Sequence, residues 1–373
     1  MTSIPKHPPC PHCGESKLKN HKRGRLICRN CKKTCAIAQL PLKGWAPAHD
    51  MVHTVPEGFV VKGVSTLYDK QGQVAGQWVK SMQEGDALRR ALEAAFTGMA
   101  DTLPRIAPVP APTHTNSDLL NVFVLTDYHL GMLSWAEETG ADWDMDIAEE
   151  LLLKWFRAAI AAAPPAKRAV FANIGDFLHW DGMDAVTPAS KHILDADTRF
   201  QKLVRVAIRV ERQIIAMLLE AHEEVHVINA EGNHDPASSI WLREWLAAVY
   251  ENEPRVTVDT SADPYYCVEH GLTSLFFHHG HKRKMEQVAD VFVAKFREVF
   301  GRTKHSYAHT GHLHHDKRIE NNLMTVEQHR TLAAPDAYAS RGGWMSGRDA
   351  KVITYHKQHG EVARLTINPD MVR

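Results

Sequence analysis

Five short apolar runs in the second half of this 373-residue chain each end in a cluster of oxygen and nitrogen donors. That recurrence restricts the possible architectures more than composition does. Val122-Phe-Val-Leu125 runs into Asp127 and His129, and the run from Ala169 to Ile174 meets Gly175-Asp176-Phe-Leu-His179. Val225-His-Val-Ile228 leads to Gly232-Asn233-His234-Asp235, Leu275-Phe-Phe277 to His278-His279-Gly280-His281, and Ser306-Tyr-Ala-His-Thr310 to Gly311-His312-Leu-His314. Loops at the carboxyl ends of strands in α/β sheets share one crevice, so five such loops can build one site. Amphipathic helices are expected between the strands at 144–162, 197–221, 237–251 and 285–300; in the second, Leu203, Ala207, Val210, Ile214 and Leu218 keep one apolar face. The pattern predicts a mixed α/β domain.

The donors point to metal chemistry. Residues i and i+2 share a face of a continuing strand, so Asp127/His129 and His312/His314 can each aim two ligands the same way. The chain has 24 histidines, and Asp, Asn and His without thiolate suit manganese, iron or zinc in a hydrolytic centre. Two such ions roughly 3.5–4 Å apart can activate water and neutralise a phosphoryl transition state.

In order, the segments read DxH, GDxxx, GNH(D/E), an HG step and GHxH, and they resemble the calcineurin-like metallophosphoesterase superfamily over about residues 119–355. Any one segment alone is weak; five in order are specific. The resemblance implies a two-layered β-sandwich flanked by helices. It also implies that Asp127, His129 and His314 hold one metal, that Asn233, His279 and His312 hold the other, and that Asp176 bridges them. His279 is preferred to His278 because the family places this ligand immediately before the glycine. His234 would stabilise the transition state or protonate the leaving oxygen. Gly175-Asp176-Phe-Leu-His179 is further similar to the second motif of the nuclease subunit of double-strand-break repair complexes, which implies that His179 assists phosphodiester cleavage.

The amino-terminal segment carries different ligands. Cys10-Pro-His-Cys13 and Cys28-Arg-Asn-Cys31 lie fourteen residues apart. In a reducing compartment paired CxxC motifs read as metal ligands before disulfides, and four thiolates can close one structural zinc site. The segment looks like the zinc ribbon of transposases and phage replication proteins. Formal net charge is zero, yet residues 1–45 hold ten Lys or Arg and one acidic residue, Glu15. Lys22, Arg23 and Arg25 are the candidate contacts to nucleic acid, expected to be DNA. Cys35 reads as a spare thiol and Cys267 as a core residue. His281, His305, His309 and His315 read as surface or supporting histidines, and Trp135, Trp143 and Trp180 as core.

The expected organisation is a zinc ribbon at 1–45, a small α+β module at 50–103, a proline-rich linker at 104–116 and the phosphoesterase domain at 117–373. In the second module a hairpin over Val60 to Val79 precedes a helix at 86–99. No run of 18 apolar residues and no signal peptide is present, so no membrane association and a cytoplasmic location are expected. The combined reading is a two-metal phosphodiesterase, manganese ahead of iron or zinc, acting on DNA and similar to enzymes encoded in phages and prophages. Two alternatives stay open: an enzyme of small nucleotides such as cyclic nucleotides or dinucleoside polyphosphates, and a nucleic-acid-binding adaptor with an inactive phosphoesterase domain.

Overall fold

The computed structural model describes residues 9–15, 18–20, 25–36, 59–69, 74–83 and 106–372, and all counts below are of these residues. They fall into two compact units, Met1–Thr97 and Gly98–Arg373.

The first unit contains a three-stranded antiparallel sheet, β1 (Leu18–Asn20), β2 (Arg25–Cys28) and β3 (Thr34–Ala36), and a separate hairpin of β4 (Phe59–Tyr68) with β5 (Val74–Gln83). Lys22, Arg23 and the expected helix at 86–99 lie outside the described residues, and Arg25 is described only as backbone at the start of β2.

The second unit is a β-sandwich, and its strands show why. In β6 (Asn116–Leu125) the inward side chains Leu120, Val122 and Val124 belong to the core between the sheets, whereas Phe123 and Leu125 face the helices outside. Alternation with period two, both faces apolar, is what a strand covered on both sides requires. Parallel to β6 run β7 (Ala166–Asn173), β8 (Glu224–Asn229) and β9 (Val256–Val258). The second sheet begins with β10 (Tyr266–His270), β11 (Thr273–Phe277) and β12 (His305–Thr310), of which β11 and β12 are parallel. It is completed by β13 (Lys317–Glu320) and β14 (Thr325–Gln328), and the chain then returns to the first sheet as β15 (Ala350–His356) and β16 (Gly360–Ile367). The orders are β16-β15-β6-β7-β8-β9 and β10-β11-β12-β14-β13. Tyr266, Leu275 and Phe277 from the second sheet meet Val170, Ile228 and Ile353 from the first. Glu327 on β14 also bridges the sheets, accepting from Lys351 on β15 (2.9 Å) and Arg364 on β16 (2.8 Å).

Helices cover both outer faces. A short helix α1 (Ala136–Thr139) precedes α2 (Met145–Ala162), whose first turn is capped by the Asp144 carboxylate accepting from the Ile147 N–H. With α3 (Phe200–Ala221) and α4 (Pro236–Val249), α2 packs on the first sheet. The helix expected at 285–300 is two: α5 (Met285–Lys295) and α6 (Arg297–Arg302). Phe296 leaves the helical conformation (φ −116°, ψ 42°) with its ring against Phe276 (centroids 5.8 Å apart), so packing on the second sheet overrides the local period. A last short helix, α7 (Ala337–Gly342), follows β14.

The proline-rich stretch is tied down from residue 106 onward. Ile106 packs on the main core, the Val109 N–H donates to Glu253 (2.8 Å), and Arg255 donates to the Val109 carbonyl (2.7 Å). Residues from 106 onward of the stretch expected as a stiff proline-rich linker thus pack within the second unit. Among the described residues no helix is long and apolar enough to cross a membrane.

Candidate metal centre

The parallel strands β6, β7 and β8 and the parallel pair β11 and β12 bring their carboxyl ends together, and the five donor loops are stitched into one another. The Asp127 N–H donates to the Gly175 carbonyl and the His129 N–H to that of Asp176, both at 3.0 Å. The Gly311 N–H donates to the His279 carbonyl (2.8 Å), the His312 N–H to Asp127 Oδ2 (2.8 Å) and the His234 N–H to Asp176 Oδ1 (2.7 Å).

The local backbone is strained where the donors sit. Asp127, His129, Asp176, His312 and His314 have φ between 49° and 76°, and only Lys32 and Lys191 join them among the described non-glycine residues with positive φ. Left-handed backbone costs about 1 kcal/mol or more per non-glycine residue, so its concentration at five donors marks a site that the surrounding fold holds against that cost. It also corrects the strand-alternation argument for DxH and HxH. Both pairs lie beyond their strands, and each is turned inward by left-handed residues rather than by the pleat. Two glycines let the loops close this tightly. A Cβ on Gly232 would stand 1.9 Å from Asp176 Oδ1, and one on Gly311 1.9 Å from Thr126 Oγ1.

Two groups of donors result. Asp127, His129 and His314 bring one ligand atom each within 4.8 Å of one another, and so do Asp176, His279 and His312. His129 Nε2 and His314 Nε2 are 3.3 Å apart, and His314 Nε2 is 3.2 Å from Asp127 Oδ1. His279 Nε2 is 3.1 Å from both Asp176 Oδ2 and Asn233 Oδ1, while its Nδ1–H donates to the Ile174 carbonyl (2.9 Å). That bond orients the ring and leaves Nε2 facing the oxygens, the arrangement expected of a ligating histidine. His278 instead stacks on Tyr265, with centroids 4.3 Å apart.

The electrostatics favour a cation. Burial pushes the imidazoles toward neutrality and does so at His129, but at His279 and His314 the Asp176 and Asp127 carboxylates prevail, raising His279 to about 9. Burial alone would raise the two carboxyls; the facing imidazoles hold both below the usual range. Asp127 Oδ1 is buried without a hydrogen-bond donor. Two anionic carboxylates, ring nitrogens facing one another and an orphaned carboxylate oxygen fit divalent cations.

His179 and His234 sit beside the first group. The buried His179 ring has Nδ1 3.2 Å from His129 Nδ1. His234 is half-buried, and its Nδ1–H donates to the His179 carbonyl (2.8 Å), which frees Nε2 for a proton transfer. His129, His179 and His234 also gather three ring nitrogens within 4.8 Å, without a carboxylate to neutralise a cation.

Sequence reasoning missed the residues that hold these groups in place. Asp235 accepts the N–H groups of Gly232 (3.0 Å), Asp176 (3.2 Å) and Leu178 (3.0 Å), joining two donor loops; its place as the fourth residue of the GNH(D/E) segment was the available signal. Thr126 donates to Asp127 Oδ2 and Thr331 to the Asp127 carbonyl, both at 2.6 Å. Glu211, buried on α3, accepts from Asn229 at the end of β8 (2.8 Å). His309 is no surface histidine: it is buried between Tyr355 (3.0 Å) and His329 (2.9 Å). It forms a further donor triad with Glu327 and His329, but Lys351 and Arg364 already neutralise that carboxylate. Trp143 and Trp180 are buried, whereas Trp135 is 59% exposed and is no core residue.

In the first unit Cys10, Cys13, Cys28 and Cys31 place their sulfurs within 4.8 Å of one another. The Cys10–Cys31 and Cys13–Cys28 separations are both 3.7 Å. A disulfide needs about 2.05 Å, whereas a tetrahedron of sulfurs about 2.3 Å from zinc has edges of about 3.8 Å. The knuckles are alike: Gly14 N–H donates to the Cys10 carbonyl (2.8 Å) and Lys32 N–H to that of Cys28 (3.0 Å). The Cys31 N–H is the largest influence on the Cys28 thiol and helps lower it to about 7; at Cys31 the Lys33 N–H favours the thiolate too, but burial and the neighbouring sulfurs outweigh it and push that thiol up to about 11, as crowded thiols without a shared cation would be. Cys35 is buried against Leu26 as part of the small core.

No family model and no curated protein sequence matches the chain. A conserved protein of Streptococcus pneumoniae described as a predicted phosphoesterase aligns over 68% of this chain and 100% of its own, with 11% identity and a TM-score of 0.29. A single mutant of Vps29 from Entamoeba histolytica aligns over 67% and 99%, with 12% identity and a TM-score of 0.32. An archaeal phosphodiesterase aligns over 66% and 99%, with 12% identity and a TM-score of 0.34. Likeness this distant carries nothing about activity, which rests on the donors themselves.

Proposed function

We propose that this chain is a two-metal phosphodiesterase that cleaves DNA. The observation that carries the reading is the convergence of Asp127, His129, Asp176, Asn233, His279, His312 and His314, from five separate loops, on one centre. Asp127, His129 and His314 would hold one divalent ion, and Asn233, His279 and His312 the other, with Asp176 shared. Bound there, manganese or a similar pair supplies Lewis-acid activation of water and of the phosphoryl oxygens.

The chain's own residues do the rest. The Ile174 carbonyl holds His279 in the tautomer that presents Nε2, and Asp235 fixes the loops that carry Asp176 and Asn233. His234, whose Nδ1–H is held by the His179 carbonyl, is the residue proposed to give a proton to a leaving oxygen; it would do so as the imidazolium, losing the Nε2 proton and keeping the one on Nδ1. DNA as the substrate is supported by the basic amino-terminal segment with its four-cysteine cluster, since phosphate contacts by Lys and Arg dominate affinity for nucleic acid. Lys22, Arg23 and Arg25 are the residues proposed for those contacts.

The test is to incubate manganese-loaded full-length protein with labelled single-stranded and duplex DNA beside bis(p-nitrophenyl) phosphate. Hydrolysis of DNA and of the small diester is expected, and Asp176→Ala is expected to lose both activities together with both ions by metal analysis. Hydrolysis of the small diester alone would favour the small-nucleotide enzyme. DNA binding with no hydrolysis would favour the adaptor.

A further inference from the structure

Between β11 and α5 the chain runs His279-Gly280-His281-Lys282-Arg283-Lys284, so three consecutive cations begin three residues after His279 of the metal centre. All three are exposed. The loop that carries them is anchored: the His278 N–H donates to the His309 carbonyl (3.2 Å), and a Cβ on Gly280 would stand 3.2 Å from the Gly311 carbonyl oxygen. Lys282 acts electrostatically on His278 and His281, and Arg283 on Tyr265. The ring of His281 in turn lies 6.2 Å from that of His312. Three residues span at most about 11 Å; Lys282 is three residues from His279 and Lys284 three from His281, so the run begins at the edge of the centre on the His279/His312 side.

Among the described residues the balance is only partial: Lys284 acts on Glu286, two residues further on in the first turn of α5. Among the described residues none of the three forms an ion pair, and the nearby acids are engaged elsewhere: Asp263 with Lys295, and Glu286 with Lys317 (2.7 Å). The three cations also precede the amino-terminal end of α5, where Lys284 is the cap and supplies no side-chain hydrogen bond. That end of a helix carries partial positive charge and favours anions; Glu286 in its first turn supplies one negative charge against three exposed cations. An excess of exposed cations beside a donor cluster fits a ligand that brings negative charge.

We propose that Lys282, Arg283 and Lys284 form a phosphate-binding site that holds a phosphate neighbouring the one at the metal centre. The substrate class is then a polynucleotide strand rather than an isolated phosphodiester. This rests on the phosphodiesterase reading, and the experiment separates the two. Full-length wild type and the Lys282→Ala/Arg283→Ala/Lys284→Ala variant are loaded with manganese. Each is assayed on a single-stranded oligodeoxynucleotide and on bis(p-nitrophenyl) phosphate across a salt series, and binding of the same oligonucleotide is followed by fluorescence anisotropy.

The ratio of kcat/KM for oligonucleotide over small diester is expected to fall on the order of ten- to a hundredfold. The salt dependence of binding should become shallower by about 0.7 for each phosphate that the variant no longer neutralises. A Lys282→Arg/Lys284→Arg variant should keep the wild-type ratio. An unchanged ratio with superimposable binding curves overturns the phosphate site while leaving the phosphodiesterase intact. Wild type inactive on both substrates would sink the phosphodiesterase reading, and the binding curves would still decide the site.

Discussion

Around the four cysteines the apolar core is Leu26 and Cys35 with Leu18 packed beside them, on strands of three or four residues. Behind the aspartates and histidines of the second unit stand Val122, Val124, Ala172, Ile228 and Phe277 in one core layer and the rings of Phe123, Phe156 and Phe171 in another. Both regions gather metal-type donors from separate loops, but they differ in what gathers them. Among the described residues a core as small as the first cannot offset the entropy of ordering its loops, so a metal held by the four sulfurs would contribute to folding. The second has enough buried surface to hold five donors in left-handed backbone, so on the proposed reading ions bound there would serve chemistry rather than the fold.

The largest effect that would break this contrast is metal removal. Chelation is expected to unfold the cysteine cluster, since structural zinc supplies about 10–16 kcal/mol of apparent binding free energy in such modules. The thermal transition of the second unit should survive, and hydrogen exchange resolved along the chain would show protection disappearing at residues 25–36 and persisting in β6 to β8. Disappearance of protection in both regions would mean that the second unit also depends on metal for its fold.

A smaller effect separates groups that hold ions from those that do not. His234→Ala is expected to slow turnover by about two to four orders of magnitude with the metal content intact, the usual contribution of a positioned proton donor. Metal content falling in step with activity would make His234 a ligand. It would also promote the His129/His179/His234 triad to a genuine site.

The smallest effect concerns the polar ties at the strand ends. Burial raises the Glu211 carboxyl to about 8, and its hydrogen bonds from Asn229 and Asn173 only partly oppose this. The folded state therefore binds the proton more tightly than the unfolded chain, whose glutamates titrate near about 4.3. The contribution to stability is complete below that pH and declines as pH rises through about 8, with a slope approaching roughly 1.4 kcal/mol per pH unit. Glu211→Gln should flatten this dependence, which urea midpoints between pH 5 and 8.5 would show. The same slope in the variant would assign the dependence to another group.

Much of the centre was legible because its chemistry is local. An apolar run followed by Asp-x-His or Gly-Asn-His states both the strand and the donor at its end, and β6, β7, β8, β11 and β12 all end within one residue of where their runs do. The break at Phe296 was not legible, because the spacing of Phe292, Phe296 and Phe300 suits one helix as well as two. Only the rings of the second sheet distinguish them. The burial of His309 escaped for a similar reason: its partners Tyr355 and His329 come from other strands.

What the sequence determined by itself is therefore the inventory: which atoms can bind metal, in what order, and on strands of which period. These depend on side-chain chemistry and on neighbours a few residues away. The tertiary structure alone decided the arrangement. It brought His279, already favoured over His278 by the motif, onto Asp176 and Asn233, set His179 behind His129, and used Asp235 and Thr331 to hold loops that are distant in the chain. Each of these is a contact between segments 46 to 204 residues apart, and its geometry exists only once two packed sheets have forced left-handed turns at their common edge.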